Sequence, residues 1–349
     1  MTTGRLAPSP TGLLHLGNVR SLALAWLAAR SVGGRIYLRV EDLLPGLDEH
    51  VAPLLDDLAW LGLDCDPAPP DPCAALTRPW WKQSERAALY TEIVSELLAA
   101  GLAYPCVCTR KDIELAALAP HAEDLAAAYP GTCAGRFASL AEARAFETTR
   151  AQSEGRPDLG VAVRVRVPAG LFAFDDLCRG PQTVDVQRQA GDLVVQRKDG
   201  GCAYMLAVVV DDLAMGVDQV VRGDDLLDVT GQQLAIRAVI AGVQPRPRAS
   251  DAATAVYRAA RAQCLPAYAH VPLVHGADGR RLAKRNQSLH VRQLRAGGVS
   301  AGTLVAWVLR SVGLAQCRDW AHAARQFDWA TLPRGPVVLD GEALAELAP

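Results

Sequence analysis

Apolar residues follow two periods along this chain. Ile36, Leu38 and Val40 alternate with polar neighbours, which predicts a strand. Val51, Leu54, Leu55, Leu58 and Leu61 recur at steps of three and four, which predicts a helix. Upstream, residues 4–7 form a short strand that Pro8-Ser9-Pro10-Thr11-Gly12 cannot continue, because proline removes donors and glycine relaxes the backbone. Asn18 is expected to cap a Leu- and Ala-rich helix over 19–29. The result is a strand–turn–helix–strand unit. Later, Ser84 is expected to cap a helix that ends at Gly101, and strands are expected over 161–167, at Val220-Val221 and over 268–274. Helices are expected from about 226 to 240 and over 303–312. No internal repeat is present.

This alternation predicts an α/β chain whose sheet comes in two halves. Residues 1–100 form the first half of a nucleotide-binding sheet and 191–250 the second. Residues 101–190 read as an insertion, with a Cys pair and an Ala-rich stretch over 114–128. Residues 251–349 follow as a further region. In open α/β sheets ligands sit at the carboxyl ends of the strands, so the break between the halves is the expected site.

Composition narrows the function classes. Half the residues are hydrophobic, enough for a sizeable core, yet no run approaches the ~18–20 apolar residues that span a bilayer. The first motif begins at Arg5, which leaves no space for a signal peptide, so a cytoplasmic enzyme with no membrane partner is expected. The net charge of −2 gives no global attraction for nucleic acid, so any nucleic-acid contact must use a local arginine patch. Lysines are confined to Lys82, Lys111, Lys198 and Lys284. Nine cysteines without an export signal argue for reduced thiols or metal ligands.

Two short motifs carry the chemistry. His15-Leu16-Gly17-Asn18 opens the first helix, whose N-terminus offers free N–H groups and a positive dipole end to phosphates. Gly17 would let an adenine nucleotide approach the backbone, and His15 could donate to a phosphate oxygen. Alone, His15 fits an ordinary turn with a solvated histidine better than it fits a phosphate site. Far downstream lies Arg281-Leu282-Ala283-Lys284-Arg285. The pair resembles the two signature motifs of the class I aminoacyl-tRNA synthetases. The Arg5-x-Ala7-Pro8-Ser9-Pro10-Thr11-Gly12 opening and Glu41-Asp42 are similar to the glutamate-specific branch. So are Tyr204–Asp212, Val220–Asp225 and Lys284.

The resemblance implies a Rossmann-like class I catalytic domain, an inserted zinc-binding subdomain, and a mainly helical C-terminal stem-contact region carrying the lysine loop. It implies ATP with Mg²⁺ as a substrate, bound by Ala7, Pro8, His15, Gly17, Asn18 and Lys284, with His15 and Lys284 catalytic. It implies a glutamate site of Arg5, Ser9, Glu41, Tyr204 and Arg222. Arginine forks suit carboxylates, and Glu41 could accept from the ammonium. Taken singly, Arg5, Glu41 and Arg222 each fit a surface ion pair; only their joint match favours a site. Val208 stands where glutamyl-tRNA synthetases keep asparagine, and Ala283 where the family keeps serine. The run Val208-Val209-Val210 reads locally as strand, and only the resemblance favours helix.

Only residues 285–349 follow Lys284, which leaves no room for an all-helical anticodon-binding region. The chain is therefore most similar to the truncated, glutamyl-Q type of this branch. That type activates L-glutamate without tRNA and transfers it to the queuosine base of tRNA(Asp). A monomer is expected. Two other readings stay open: a truncated ligase acting on a tRNA 3′ end, carrier protein or small metabolite, and a non-catalytic paralogue that binds nucleotide, tRNA or protein.

Cys106, Cys108, Tyr129 and Cys133 form a possible metal set. Their spacing fits either a closed, structural zinc site or free thiols in a core. The glutamyl-Q resemblance implies one structural zinc per chain at these four residues. Cys65, Cys73, Cys178, Cys202, Cys264 and Cys317 show no ligand spacing.

Overall fold

The computed structural model describes residues 1–74, 77–117, 128–276, 279, 290–339, 341, 345 and 347. Strand β1 (Thr3–Leu6) leads through the Pro8–Gly12 turn into helix α1 (Leu16–Ser31) and back to β2 (Arg35–Val40). Helix α2 (Val51–Trp60), strand β3 (Trp81–Lys82) and helix α3 (Ala87–Ala99) complete this half. Strands β1, β2 and β3 form a parallel sheet in that order. Tyr37 and Arg39 are buried as well as Ile36, Leu38 and Val40. Helices cover both faces of a parallel sheet, so the alternation expected for β2 does not put one face in water.

Two caps differ from the sequence expectation. His15, not Asn18, is the N-cap of α1, and Asn18 is the third residue of its first turn. Ser84 does not cap α3: it lies in a 3₁₀ turn over Gln83–Arg86, and its hydroxyl donates to Asp42 Oδ2 at 2.6 Å.

The middle of the chain begins with β4 (Ala103–Cys106) and helices α4 (Arg110–Ala117) and α5 (Leu140–Ser153). Strands β5 (Ala162–Val165), β6 (Phe172–Asp176) and β7 (Gly180–Val184), helix α6 (Val186–Gln189) and strand β8 (Leu193–Gln196) follow. Strands β4, β5 and β8 form a small antiparallel sheet. Helix α7 (Tyr204–Met215), strand β9 (Gln219–Gly223), helices α8 (Leu227–Gly242) and α9 (Asp251–Ala262), and strands β10 (Ala267–Val271) and β11 (Val274–Gly276) come next. The chain closes with α10 (Val291–Ala296), α11 (Ala301–Ser311), α12 (Trp320–Gln326) and β12 (Val337–Leu339), which pairs with β11.

A second central sheet runs β7-β6-β10-β9, parallel except for the β6–β7 hairpin. Its edge strand β9 lies against β1 of the first sheet. Asp218 N donates to Thr3 O at 3.0 Å, and Thr3 N to Asp218 Oδ1 at 2.7 Å. The division at residue 190 therefore does not follow the sheets. Strands β6 and β7 come before it but belong with β9 and β10, while β8 comes after it and joins the small sheet. Likewise β10, in the region read as beginning at 251, is part of the second central sheet.

Helices α1, α11 and α12 pack with α2 in one buried cluster. Helices α3, α7, α8 and α9 pack in another. Among the described residues, no helix is long and apolar enough to cross a membrane.

Candidate active site

The carboxyl ends of β1, β2 and β9 open onto one cavity of about 380 Å³. Arg5, Ala7, Pro8, Ser9, His15, Gly17, Asn18, Glu41, Tyr204 and Arg222 all line it. Two halves of the chain, more than 160 residues apart in sequence, thus converge where the sheets meet. Lys284 and its neighbours 281–285 lie outside the described residues. The chain re-emerges at His290, which bridges to His15, and Val291 N donates to Leu14 O at 2.8 Å.

One end of the cavity is built from the α1 cap. Asn18 N donates to His15 Nδ1 at 3.3 Å, and His15 N to Asn18 Oδ1 at 3.3 Å, a reciprocal capping box. Because Nδ1 is the acceptor, the proton of a neutral His15 imidazole lies on Nε2. A Cβ on Gly17 would sit 3.1 Å from His15 Cε1 and 3.2 Å from Nδ1, so the missing side chain leaves the ring its place.

Beneath the other end lies a charged network. Arg39 is fully buried; it donates to Glu41 Oε1 at 2.9 Å and Asp212 Oδ1 at 2.5 Å, with Asp211 at 3.9 Å. Burial opposes its charge, yet Asp212, Glu41 and Asp211 hold it well above the ordinary arginine value. Arg5 lies 3.5 Å from Asp212 and donates to Val221 O at 3.2 Å. Asp212 stays below the usual carboxylate range because Arg39 and Arg5 outweigh its burial. Glu41 is pushed up by burial, which Arg39 only partly offsets. Ser9 Oγ lies 3.5 Å from Glu41 Oε2, and Glu41 N donates to Pro8 O at 3.0 Å.

Arg222 has different surroundings. Its Nε donates to His270 Nε2 at 3.0 Å and its Nη2 to Thr230 Oγ1 at 2.8 Å. No carboxylate pairs with it among the described residues, and its Nη1 is buried without a hydrogen-bond partner among them. Burial lowers its pKa. An orphaned guanidinium N–H beside a cavity is costly unless an acceptor arrives. Tyr204, 37% exposed, begins α7 at the cavity wall. Val208, one turn on, is buried and faces a separate small cavity.

The sequence alone assigns no role to Arg39, Asp212, Asp176, Thr230 or His270. Asp211-Asp212 on a helix and a single histidine inside an apolar strand were the available signals. Neither reveals its partner until the sheets are assembled.

At the second candidate site, the Sγ atoms of Cys106, Cys108 and Cys133 lie within 4.8 Å of one another. Tyr129 Oη is 3.4 Å from Cys106 Sγ and 3.8 Å from Cys108 Sγ, and it accepts from Cys133 N at 2.8 Å. Gly191 has φ +67, and any Cβ there would collide with the Tyr129 carbonyl, so the tyrosine is tightly seated. Neighbouring thiols and Arg164, whose Nε lies 3.4 Å from the sulfur, lower the Cys106 pKa. Three convergent thiols could hold a metal ion, and the Tyr129 phenol oxygen lies beside them.

Residues 1–249 match the family model for "tRNA synthetases class I (E and Q), catalytic domain". The chain is 42% identical to a glutamyl-Q tRNA(Asp) synthetase of Nitratidesulfovibrio vulgaris, over 99% of this chain and 98% of the relative. It is 39% identical to the glutamyl-Q tRNA(Asp) synthetase of Symbiobacterium thermophilum, over 100% of this chain and 99% of the relative. A glutamate tRNA ligase from Elizabethkingia meningosepticum, solved with its amino acid, shares the fold. The TM-score is 0.70 at 21% identity, covering 99% of this chain and 68% of that one. The chain thus belongs to the class I tRNA synthetases of the E and Q group, within the glutamyl-Q tRNA(Asp) synthetase family.

Proposed function

We propose that this enzyme activates glutamate with ATP and then transfers it to the queuosine base of tRNA(Asp). Family membership over the whole chain supports the activity. The observation that carries the substrate assignment is Arg222, a buried cation facing the cavity with no carboxylate partner among the described residues. Glutamate brings the carboxylate this group lacks.

In the activation step the α-carboxylate of glutamate attacks the α-phosphate of ATP. A P–O bond forms to give glutamyl-AMP, and pyrophosphate leaves with the electrons of the broken P–O bond. Positioning and charge neutralisation carry such a step. His15 Nε2–H and the N-terminus of α1 would face the phosphates, and Lys284 would join them from its loop. Mg²⁺ would accompany ATP. Glu41 would accept from the substrate ammonium, and Arg5, Ser9 and Tyr204 would complete the amino-acid site. In the second step a hydroxyl of the modified base attacks the anhydride carbonyl, an ester forms and AMP leaves. Cys106, Cys108, Tyr129 and Cys133 would hold a zinc ion, which would brace the small β4-β5-β8 sheet and take no part in the chemistry. The enzyme works as a cytoplasmic monomer.

Glutamate-dependent exchange of pyrophosphate into ATP, run without tRNA, tests the activation step. Exchange is expected with glutamate and not with glutamine, because an amide leaves the Arg222 charge uncompensated. Arg222→Ala is expected to reduce exchange by ~100-fold, the scale of losing a charge-assisted contact. Equal rates with the two amino acids would overturn the substrate assignment.

A further inference from the structure

Arg222 and Arg39 are both buried arginines of the same sheet system, but their partners differ in kind. Arg39 is surrounded by three carboxylates. Arg222 is held by neutral groups: the His270 imidazole, the Thr230 hydroxyl, and the Leu226 carbonyl at 3.5 Å. A carboxylate does stand behind Arg222, but one residue removed. Asp176 Oδ2 lies 2.6 Å from His270 Nδ1. The same carboxylate accepts from the backbone N–H groups of His270, Cys178 and Arg179.

The hydrogen-bond directions are fixed by elimination. Arginine Nε can only donate, so His270 Nε2 must accept. The ring proton therefore sits on Nδ1 and donates to Asp176. Thr230 Oγ1 accepts from Nη2 and donates its own hydroxyl to Leu226 O at 3.1 Å. His270 and Thr230 are both fully buried, so water does not replace them as partners. With Nε and Nη2 tied down, the plane of the guanidinium is fixed and Nη1 is left over.

We infer that His270, set by Asp176, is a positioning and specificity-determining residue: it orients Arg222 through a neutral acceptor and keeps it without a carboxylate of its own. An aspartate or glutamate in direct contact would orient Arg222 equally well. It would also neutralise it, and the cavity would lose its preference for an acidic side chain. The imidazole separates the two tasks. It transmits the orientation of Asp176 without transferring its charge. This inference rests on the reading of Arg222 as the seat of the glutamate side-chain carboxylate.

Two substitutions separate the atoms of the ring. His270→Asn keeps a donor toward Asp176 near the place of Nδ1 but loses the acceptor at Nε2. His270→Gln reaches the place of Nε2 with its carbonyl. In tRNA-free exchange, His270→Asn is expected to raise the KM for glutamate by ~10-fold or more, with the KM for ATP within about two-fold. His270→Gln is expected to recover most of that loss. Thr230→Val, nearly isosteric, acts on the opposite edge of Arg222 and is expected to raise the glutamate KM in the same selective way. It serves as the measurement should His270→Asn fail to fold. If His270→Asn or Thr230→Val shifted both KM values together, with a lower Tm and no recovery by His270→Gln, the role would be merely structural and the inference overturned. If Arg222→Ala lost glutamate selectivity while His270→Asn and Thr230→Val left the glutamate KM unchanged, the inference would fail and the reading of Arg222 would stand. If Arg222→Ala itself left glutamate use unchanged, that underlying reading would fall.

Discussion

Burial holds His270 below its ordinary value of 6.5, although the hydrogen bond to Asp176 pulls the other way. The charged groups around it are Asp176 on β6, Arg222 on β9 and Arg5 on β1, with Thr230 and Tyr268 as its neutral neighbours. In the unfolded chain this histidine takes up its proton at the higher pH. Stability is therefore complete above 6.5 and is lost progressively as pH falls through the lower folded-state value. Protonation would also turn an N–H at Nε2 against the Arg222 N–H. We expect the KM for glutamate to rise as pH falls below that range, and the rise to flatten in His270→Gln. A glutamate KM with the same pH profile in both proteins would contradict this. The arginine and glutamate positions of the site were legible in the sequence because short motifs carry them. His270, Asp176 and Arg39 were not. Each looks like an ordinary strand residue, and only pairing across the assembled sheets gives it a partner.

Local propensity and tertiary burial disagree most clearly at α7. Its Val208-Val209-Val210 run favours strand. All three side chains are buried, and the segment is helical from Tyr204 to a left-handed C-cap at Gly216. Packing against α3, α8 and α9 outweighs the few tenths of a kcal/mol per residue that β-branching costs a helix. Ser84 was misread for a related reason. Its hydroxyl is engaged by Asp42, a long-range partner invisible in the local pattern. The small β4-β5-β8 sheet gives this scale its own prediction. The cysteine cluster joins β4 to the turn before α5, so a metal ion bound there would couple to the folding of that unit. We expect about one zinc per chain in protein never exposed to chelator. Cys106→Ser or Cys133→Ser should release it, lower the Tm and leave tRNA-free exchange within a few-fold. Elemental analysis showing no bound metal would remove the zinc assignment while leaving the active site untouched.

At the scale of the molecule, the alternation of strands and helices made the two-part α/β sheet legible. The sheet boundaries were not legible, because pairing between distant strands decides them. The β6–β7 hairpin reaches back to β10 across more than 80 residues, and β8 reaches into the small sheet. What the whole fold achieves is convergence. The cation of β9, the acid of β2 and the helix cap after β1 meet in one cavity because the two sheets abut at β1 and β9. With 36 basic and 38 acidic residues, the chain has no overall positive charge to draw tRNA in, so the acceptor must be recognised locally. The most direct test is therefore transfer itself. Labelled glutamate, ATP and the enzyme are incubated with tRNA(Asp) that carries queuosine and with tRNA(Asp) that lacks it. Label should enter only the queuosine-bearing tRNA, and periodate treatment of that base beforehand should abolish the transfer. Equal labelling of both tRNAs, or glutamate recovered on the 3′ terminal ribose, would contradict the proposed function.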